Sequence, residues 1–272
     1  DVLEELLRKI RPYELVPNST DLAFEKAMDQ VVDGLRRHGV PGALRGFSRA
    51  MEIMNQVTYD RSRPRPQVLI VGEYLLNFHP GANHDIENYL EQNGFEVIEA
   101  RMTDVIRKTY FCQRAQVKEY QIRRPAASKP WLWAAEQMFQ LAHTLTDSIA
   151  RSHPLYRPAT RLPQLAAQSD PIIPHTFDAG EGILIPGEIL HHAQEGCRAF
   201  VILQPFGCLP NHVVGRGVTK KLKELYPDAQ ILPLDYDPDV SFANIENRLQ
   251  MLIMNARQAA APPREVPAPA PT

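Results

Sequence analysis

A chain of 272 residues, 44% hydrophobic and 23% charged, is long enough to bury one or two cores and ordinary in composition for a globular protein. A net charge of -2 and a sequence pI near 6.5 give no global reason to expect nucleic acid, and no apolar run approaches the ~20 residues of a membrane helix. Three widely spaced cysteines, Cys112, Cys197 and Cys208, with no CxxC pair and no signal peptide ahead of them, argue against a disulfide framework and a self-sufficient zinc site, and point to a reducing cytoplasm.

In chain order, Val2 to Arg11 reads as an amphipathic helix, because Val2, Leu3, Leu6, Leu7 and Ile10 recur at helical spacing. That stripe needs a partner; with a chain that opens on Asp1 rather than methionine, the expectation is a lobe lying upstream. Asp21 to about Asn55 is helical, with a break predicted at "HGVPG", His38 to Gly42. Residues 1–65 form a helical N-terminal segment on this reading, closed by the extended "RSRPRP", Arg61 to Pro66.

A second region, 66–256, begins with the apolar strand "QVLIVG". Asp85 is placed to cap the helix "IENYLEQNG", Gly94 to end it, and "FEVIEA" follows as a strand, a right-handed βαβ unit. A basic amphipathic stretch from Thr103 to Arg124, a helix from Trp131 to about Ser152 and a proline-rich passage make a helical insertion around 103–170. The pattern then resumes as helix "GEILHHAQEG", strand "AFVILQP", helix "GVTKKLKELYP", strand "AQILPLDYD" and a last helix from Phe242 to Met254. The fold class is therefore α/β, a Rossmann-like parallel sheet of about four strands. The Pro/Ala-rich 257–272 is expected to be disordered.

Ligands of such sheets collect beyond the carboxyl ends of the strands, where Gly72 to Gly81, Cys208 and Asp235 to Asp237 fall. Cys208 follows a buried strand in a loop shaped by Gly207 and Pro210, and three roles are open to it: nucleophile with His212 as base, ligand to iron or another soft metal, or a structural thiol. "HPGANHD", His79 to Asp85, and the Gly-Arg-Gly at 215–217 suit an anion or a plain turn. The "DYDPD" acids, Asp235 to Asp239, fit metal ligation or a helix cap. Trp131 and Trp133 read as helix packing. His191 and His192 sit on an amphipathic helix without the acid of a HExxH zinc site.

Four segments, "VLIVGEYLLNFHPGANHDIENYLEQNGFEVIEARMTD", "GEGILIPGEI", "LQPFGCLPNHVVGRG" and "LPLDYDPDVSFANIENRLQMLI", resemble the C-terminal part of the large acyl-CoA dehydratase activase-related proteins, of the 2-hydroxyacyl-CoA dehydratase superfamily and its double-cubane-cluster relatives. The resemblance runs from Arg11 to the last helix. It implies a Rossmann-like lobe that shares a 4Fe-4S cluster with an upstream lobe, Cys208 matching the strand-end cysteine while Cys112 and Cys197 match no motif. It also implies actin/Hsp70-type ATPase activator domains as electron donors, and low-potential one-electron chemistry on an acyl-CoA or similar substrate, a dehydratase-like lyase or ATP-dependent reductase. Asn83, His84 and Arg216 are then the candidate contacts to cluster or acyl-CoA. The alternative is a lobe that binds a ligand or partner without turnover.

Overall fold

The computed structural model describes residues 1–121, 129–237 and 241–260. The basic residues expected from 122 to Arg124, Asp239 of the acidic run and most of the Pro/Ala tail lie outside these residues.

Helix α1 (Val2–Ile10) buries Leu3, Leu6 and Ile10 against Ala23, Ala27, Met51 and Met54, so the predicted stripe finds its partner inside the chain. After a 3-10 turn at Arg11–Tyr13 comes α2 (Ser19–Met54), interrupted at Gly39 (φ 60°, ψ -150°), inside the expected break. There the helix doubles back on itself with almost no side chain between its arms: a Cβ on Gly34 would lie 2.3 Å from the Gly42 carbonyl oxygen, and one on Gly46 would lie 2.2 Å from that of Gln30.

Strand β1 (Gln67–Gly72) leads through the short helices α3 (Tyr74–Phe78) and α4 (Pro80–Asn83) into α5 (Ile86–Gln92) and β2 (Glu96–Glu99). Asp85 occupies the N-cap position of α5 but does not cap it: in left-handed backbone (φ 55°), its carboxylate instead accepts from Asn88 Nδ2 at 2.9 Å. Gly94 ends the helix at φ 92°. The insertion is three helices, α6 (Met102–Glu119), α7 (Lys129–Ala150) and α8 (Leu162–Ser169). Then follow α9 (Leu184–Gln194), β3 (Ala199–Pro205), a π-helical turn at Leu209–Gly215, α10 (Thr219–Leu225), β4 (Gln230–Tyr236) and α11 (Phe242–Ala260).

All strand pairs are parallel, in the order β2-β1-β3-β4, with Val68 opposite Ala199, Gly72 opposite Leu203 and Leu203 opposite Leu234. The fold is the expected Rossmann-like α/β layer. Alternation along each strand sends Val68, Ile70, Val201 and Leu203 into one core with α5 and α11; Leu69, Val71, Phe200 and Ile202 face the other, with α9 and α10. The chain leaves β1 toward β2 on one side and reaches β3 on the other, so the strand order reverses between β1 and β3. In sheets of this kind that point, beyond the carboxyl ends, is the topological crevice where ligands collect.

The edge strand β2 is shielded by α1 and by charge. Arg8 pairs with Glu99 at 2.8 Å and with Glu87 at 3.3 Å, Arg11 with Glu91 at 2.7 Å, and Arg61 with Glu96 at 2.6 Å. Glu96 also accepts from the Tyr13 hydroxyl at 2.8 Å.

The hairpin predicts a sharp contrast between two glycines. Gly46→Ala forces the arms of α2 apart and lowers unfolding free energy by about 1–3 kcal/mol in chemical denaturation. Gly217→Ala, where nothing lies within 4 Å of the added methyl, leaves stability unchanged or raises it by up to about 1 kcal/mol.

Candidate functional site

At the reversal point the two central strands approach as closely as backbone allows. A Cβ on Gly72 would lie 2.0 Å from the Leu203 carbonyl oxygen, and the next N–H, of Glu73, donates to that oxygen at 2.8 Å. Glu73 then caps α3 by accepting from the Leu76 N–H at 2.9 Å. On the other side, the Cys208 N–H donates to the Pro205 carbonyl at 3.2 Å, closing a four-residue turn with Gly207 at φ 77°. Phe206, 70% exposed, rides on its tip.

The turn hands the chain to the π-helical segment, in which the Cys208 carbonyl accepts from both His212 N–H (2.8 Å) and Val213 N–H (3.1 Å). This winding brings Asn211 underneath the cysteine. Asn211 is fully buried, and its Nδ2 donates to Cys208 Sγ at 3.3 Å and to Glu181 Oε2 at 3.2 Å. Glu181, itself buried, comes from the loop before α9.

Around this thiol lies a second ring of polar groups. The Gly207 N–H donates to His212 Nδ1 at 2.7 Å, so the neutral ring carries its proton on Nε2, which faces Asp235 Oδ1 at 4.0 Å. Asp235 accepts from Gln204 Nε2 at 2.6 Å and pairs with Arg216 at 3.5 Å. Asn77, Gln204 and Asn211 are each buried at this edge with a side-chain oxygen that has no hydrogen-bond partner among the described residues. A buried acceptor left unmatched costs about 1–3 kcal/mol, so these three oxygens are a local cost to stability at this edge.

The three cysteines separate clearly. Cys112 on α6 is fully buried, its Sγ 3.7 Å from the Phe177 carbonyl, and burial pushes its thiol up to about 12. Cys197 precedes β3, donates to the Ala199 carbonyl at 3.4 Å, and is pushed by burial up to about 11. Neither forms a thiolate near neutrality. Cys208, half-buried, lies past the carboxyl end of β3 at the strand reversal, and the length of β3 separates it from Cys197, about 20 Å.

The other anticipated residues are more scattered. Asn83 is buried and its amide is engaged by the backbone, donating to the Leu76 carbonyl at 2.8 Å and accepting from the Ile86 N–H at 3.4 Å. His84 is exposed beyond β4, in left-handed backbone (φ 59°), its ring 5.9 Å from Tyr236 and 5.6 Å from Phe242. Arg216 stays exposed beside Asp235. Trp131 and Trp133 do not pack as expected; both are largely exposed on α7. The residues that sequence reasoning missed are Asn211, Glu181 and Gln204, all inside or beside segments whose glycines and cysteine drew the eye. A signal for Asn211 was its three-residue spacing from Cys208, one helical turn.

No protein-family model, curated protein or solved structure matches the chain. Among the described residues no helix is long and apolar enough to cross a membrane.

Cysteine burial sets an outcome for thiol labelling. Iodoacetamide at mild alkaline pH should modify Cys208 alone in the native chain, with Cys112 and Cys197 reacting only after denaturation, as read by peptide mass spectrometry.

Proposed function

We propose that this chain is the C-terminal lobe of a 2-hydroxyacyl-CoA dehydratase-like iron-sulfur protein, in which Cys208 supplies one ligand to a 4Fe-4S-type cluster shared with an upstream lobe. The observation that carries the reading is the half-buried Cys208 at the strand-reversal crevice with the buried Asn211 amide donating to its sulfur. Hydrogen bonds of that kind stabilise a thiolate and tune an iron-sulfur centre.

The donor set fits one share of a cluster and no more. Cys112 and Cys197 are buried, and burial pushes both thiols up, so in this reading the remaining thiolates come from the partner lobe. When bound, such a cluster supplies low-potential single electrons, received in this reading from actin/Hsp70-type ATPase activator domains.

The residues of this lobe hold and surround the site. Asn211 fixes the sulfur, Glu181 fixes Asn211, and the turn at Gly207 keeps the His212 ring in one tautomer. Arg216 and His84 offer exposed contacts on this edge for an acyl-CoA, Arg216 meeting its phosphates; Asn83, held by backbone, serves the loop instead.

Anaerobic purification together with the upstream lobe tests the proposal. The wild type should hold about four iron per cluster with the matching EPR signal, Cys208→Ser should lose it, and Cys197→Ser should keep it. Asn211→Ala should keep the iron and shift the reduction potential. Normal iron content in Cys208→Ser would overturn the cluster reading and leave a lobe that binds a partner or ligand without turnover.

A further inference from the structure

Along the edge strand β2, a cavity of about 430 Å³ lies between α1, the 155–160 strap and the C-terminal half of α9. Nothing at the Cys208 crevice contributes to it. Its wall on α9 is the run Glu188-Ile-Leu-His191-His192-Ala-Gln-Glu195, in which residues one turn apart meet on one side of the helix.

From these side chains we infer a binding site for one divalent transition-metal ion of the zinc and cobalt class, held by His191, His192 and Glu195. One ligand atom from each lies within 4.8 Å of the other two. The Glu195 carboxylate presents one oxygen to each ring, 3.3 Å from His192 Nδ1 and 3.7 Å from His191 Nε2. Ligands about 2.0–2.1 Å from a tetrahedral ion stand about 3.4 Å from one another, so closing the site takes a movement of the exposed Glu195 side chain and displacement of the Thr160 hydroxyl from His191 Nε2. The imidazole rings already converge, with centroids 5.0 Å apart.

Two neighbours complete the arrangement. Glu188, buried one turn earlier, places Oε2 3.6 Å from His192 Nε2, the nitrogen left over when Nδ1 binds the ion; a slight approach of the two would let the carboxylate orient the ring. The Thr160 hydroxyl, 2.6 Å from His191 Nε2, is freed when that nitrogen takes the metal and can hydrogen-bond a metal-bound water. Two imidazoles and a carboxylate select a borderline cation over magnesium or calcium, which prefer all-oxygen sites. The site also sits at the C-terminal turn of α9, the end of the helix dipole that favours positive charge. With three protein ligands, the fourth position opens to the cavity.

Titration of the untagged, metal-free chain with Co²⁺ tests this directly by visible absorption. The expected result is one Co²⁺ per chain in a four- or five-coordinate spectrum, displaced by Zn²⁺, without the intense near-ultraviolet band of a thiolate ligand. His192→Ala and Glu195→Gln should each weaken binding by about 100-fold or more, and Glu188→Gln by about 10-fold. Circular dichroism and melting check that the variants fold; Glu195→Gln, on an exposed side chain, is the safest of them. No spectral change in excess Co²⁺, binding unaltered by Glu195→Gln, or a thiolate band would each overturn the assignment.

Discussion

A parallel sheet has no face that water can cover, and the rest of the molecule follows from that requirement. Four strands with apolar residues on both sides need helices above and below. The chain provides them by winding β1 to β2 through α5 on one face and β3 to β4 through α10 on the other. Winding in two directions from the centre forces a reversal between β1 and β3, and at the reversal the loops part rather than cross. The Cys208 crevice is thus a product of topology before it is a product of any particular side chain. Gly72 then determines how near the two strand ends stand, because no side chain fits against the Leu203 carbonyl.

The same sheet leaves one strand, β2, at an edge, and there the chain relies on ions. Arg8, Arg11 and Arg61 reach from the N-terminal segment to Glu87, Glu91, Glu96 and Glu99. Partly buried pairs of this sort contribute more to register than to net stability, since desolvation offsets much of their attraction. Their effect is to fix where α1 lies. The apolar stripe Leu3, Leu6 and Ile10 supplies the adhesion, and the guanidinium groups decide the position.

Much of this layout was legible in the amino-acid sequence. Strands buried on both faces read as unbroken apolar runs, so "QVLIVG" and "AFVILQP" stood out, and a Gly-Val-Pro-Gly step cannot continue a helix, so the break stood out as well, though not that the two arms fold back on each other. Contacts set by tertiary geometry were not visible. Asp85 has the residue type of a cap but sits in left-handed backbone, where its carboxylate turns to Asn88. Asn211 carried no expectation, and it is the π turn that places it under the sulfur. His191 and His192 were judged against the HExxH pattern, whereas the acid that meets them stands after them, at the helix end.

The π turn at Leu209–Gly215 has a counting consequence. A ring closed by an i to i+5 hydrogen bond encloses one residue more than the i to i+4 ring of an α-helix, so this segment stores a single surplus residue beside the cysteine. Removing it would let the segment relax to ordinary α geometry, and every side chain beyond the deletion would swing by roughly 100° about the axis. His212 and Arg216 would then part from Asp235, while β3 and β4 kept their pairing. Length in this short stretch is therefore as tightly constrained as chemistry: a relative of this chain one residue shorter here would keep the sheet and lose the polar ring around its thiol.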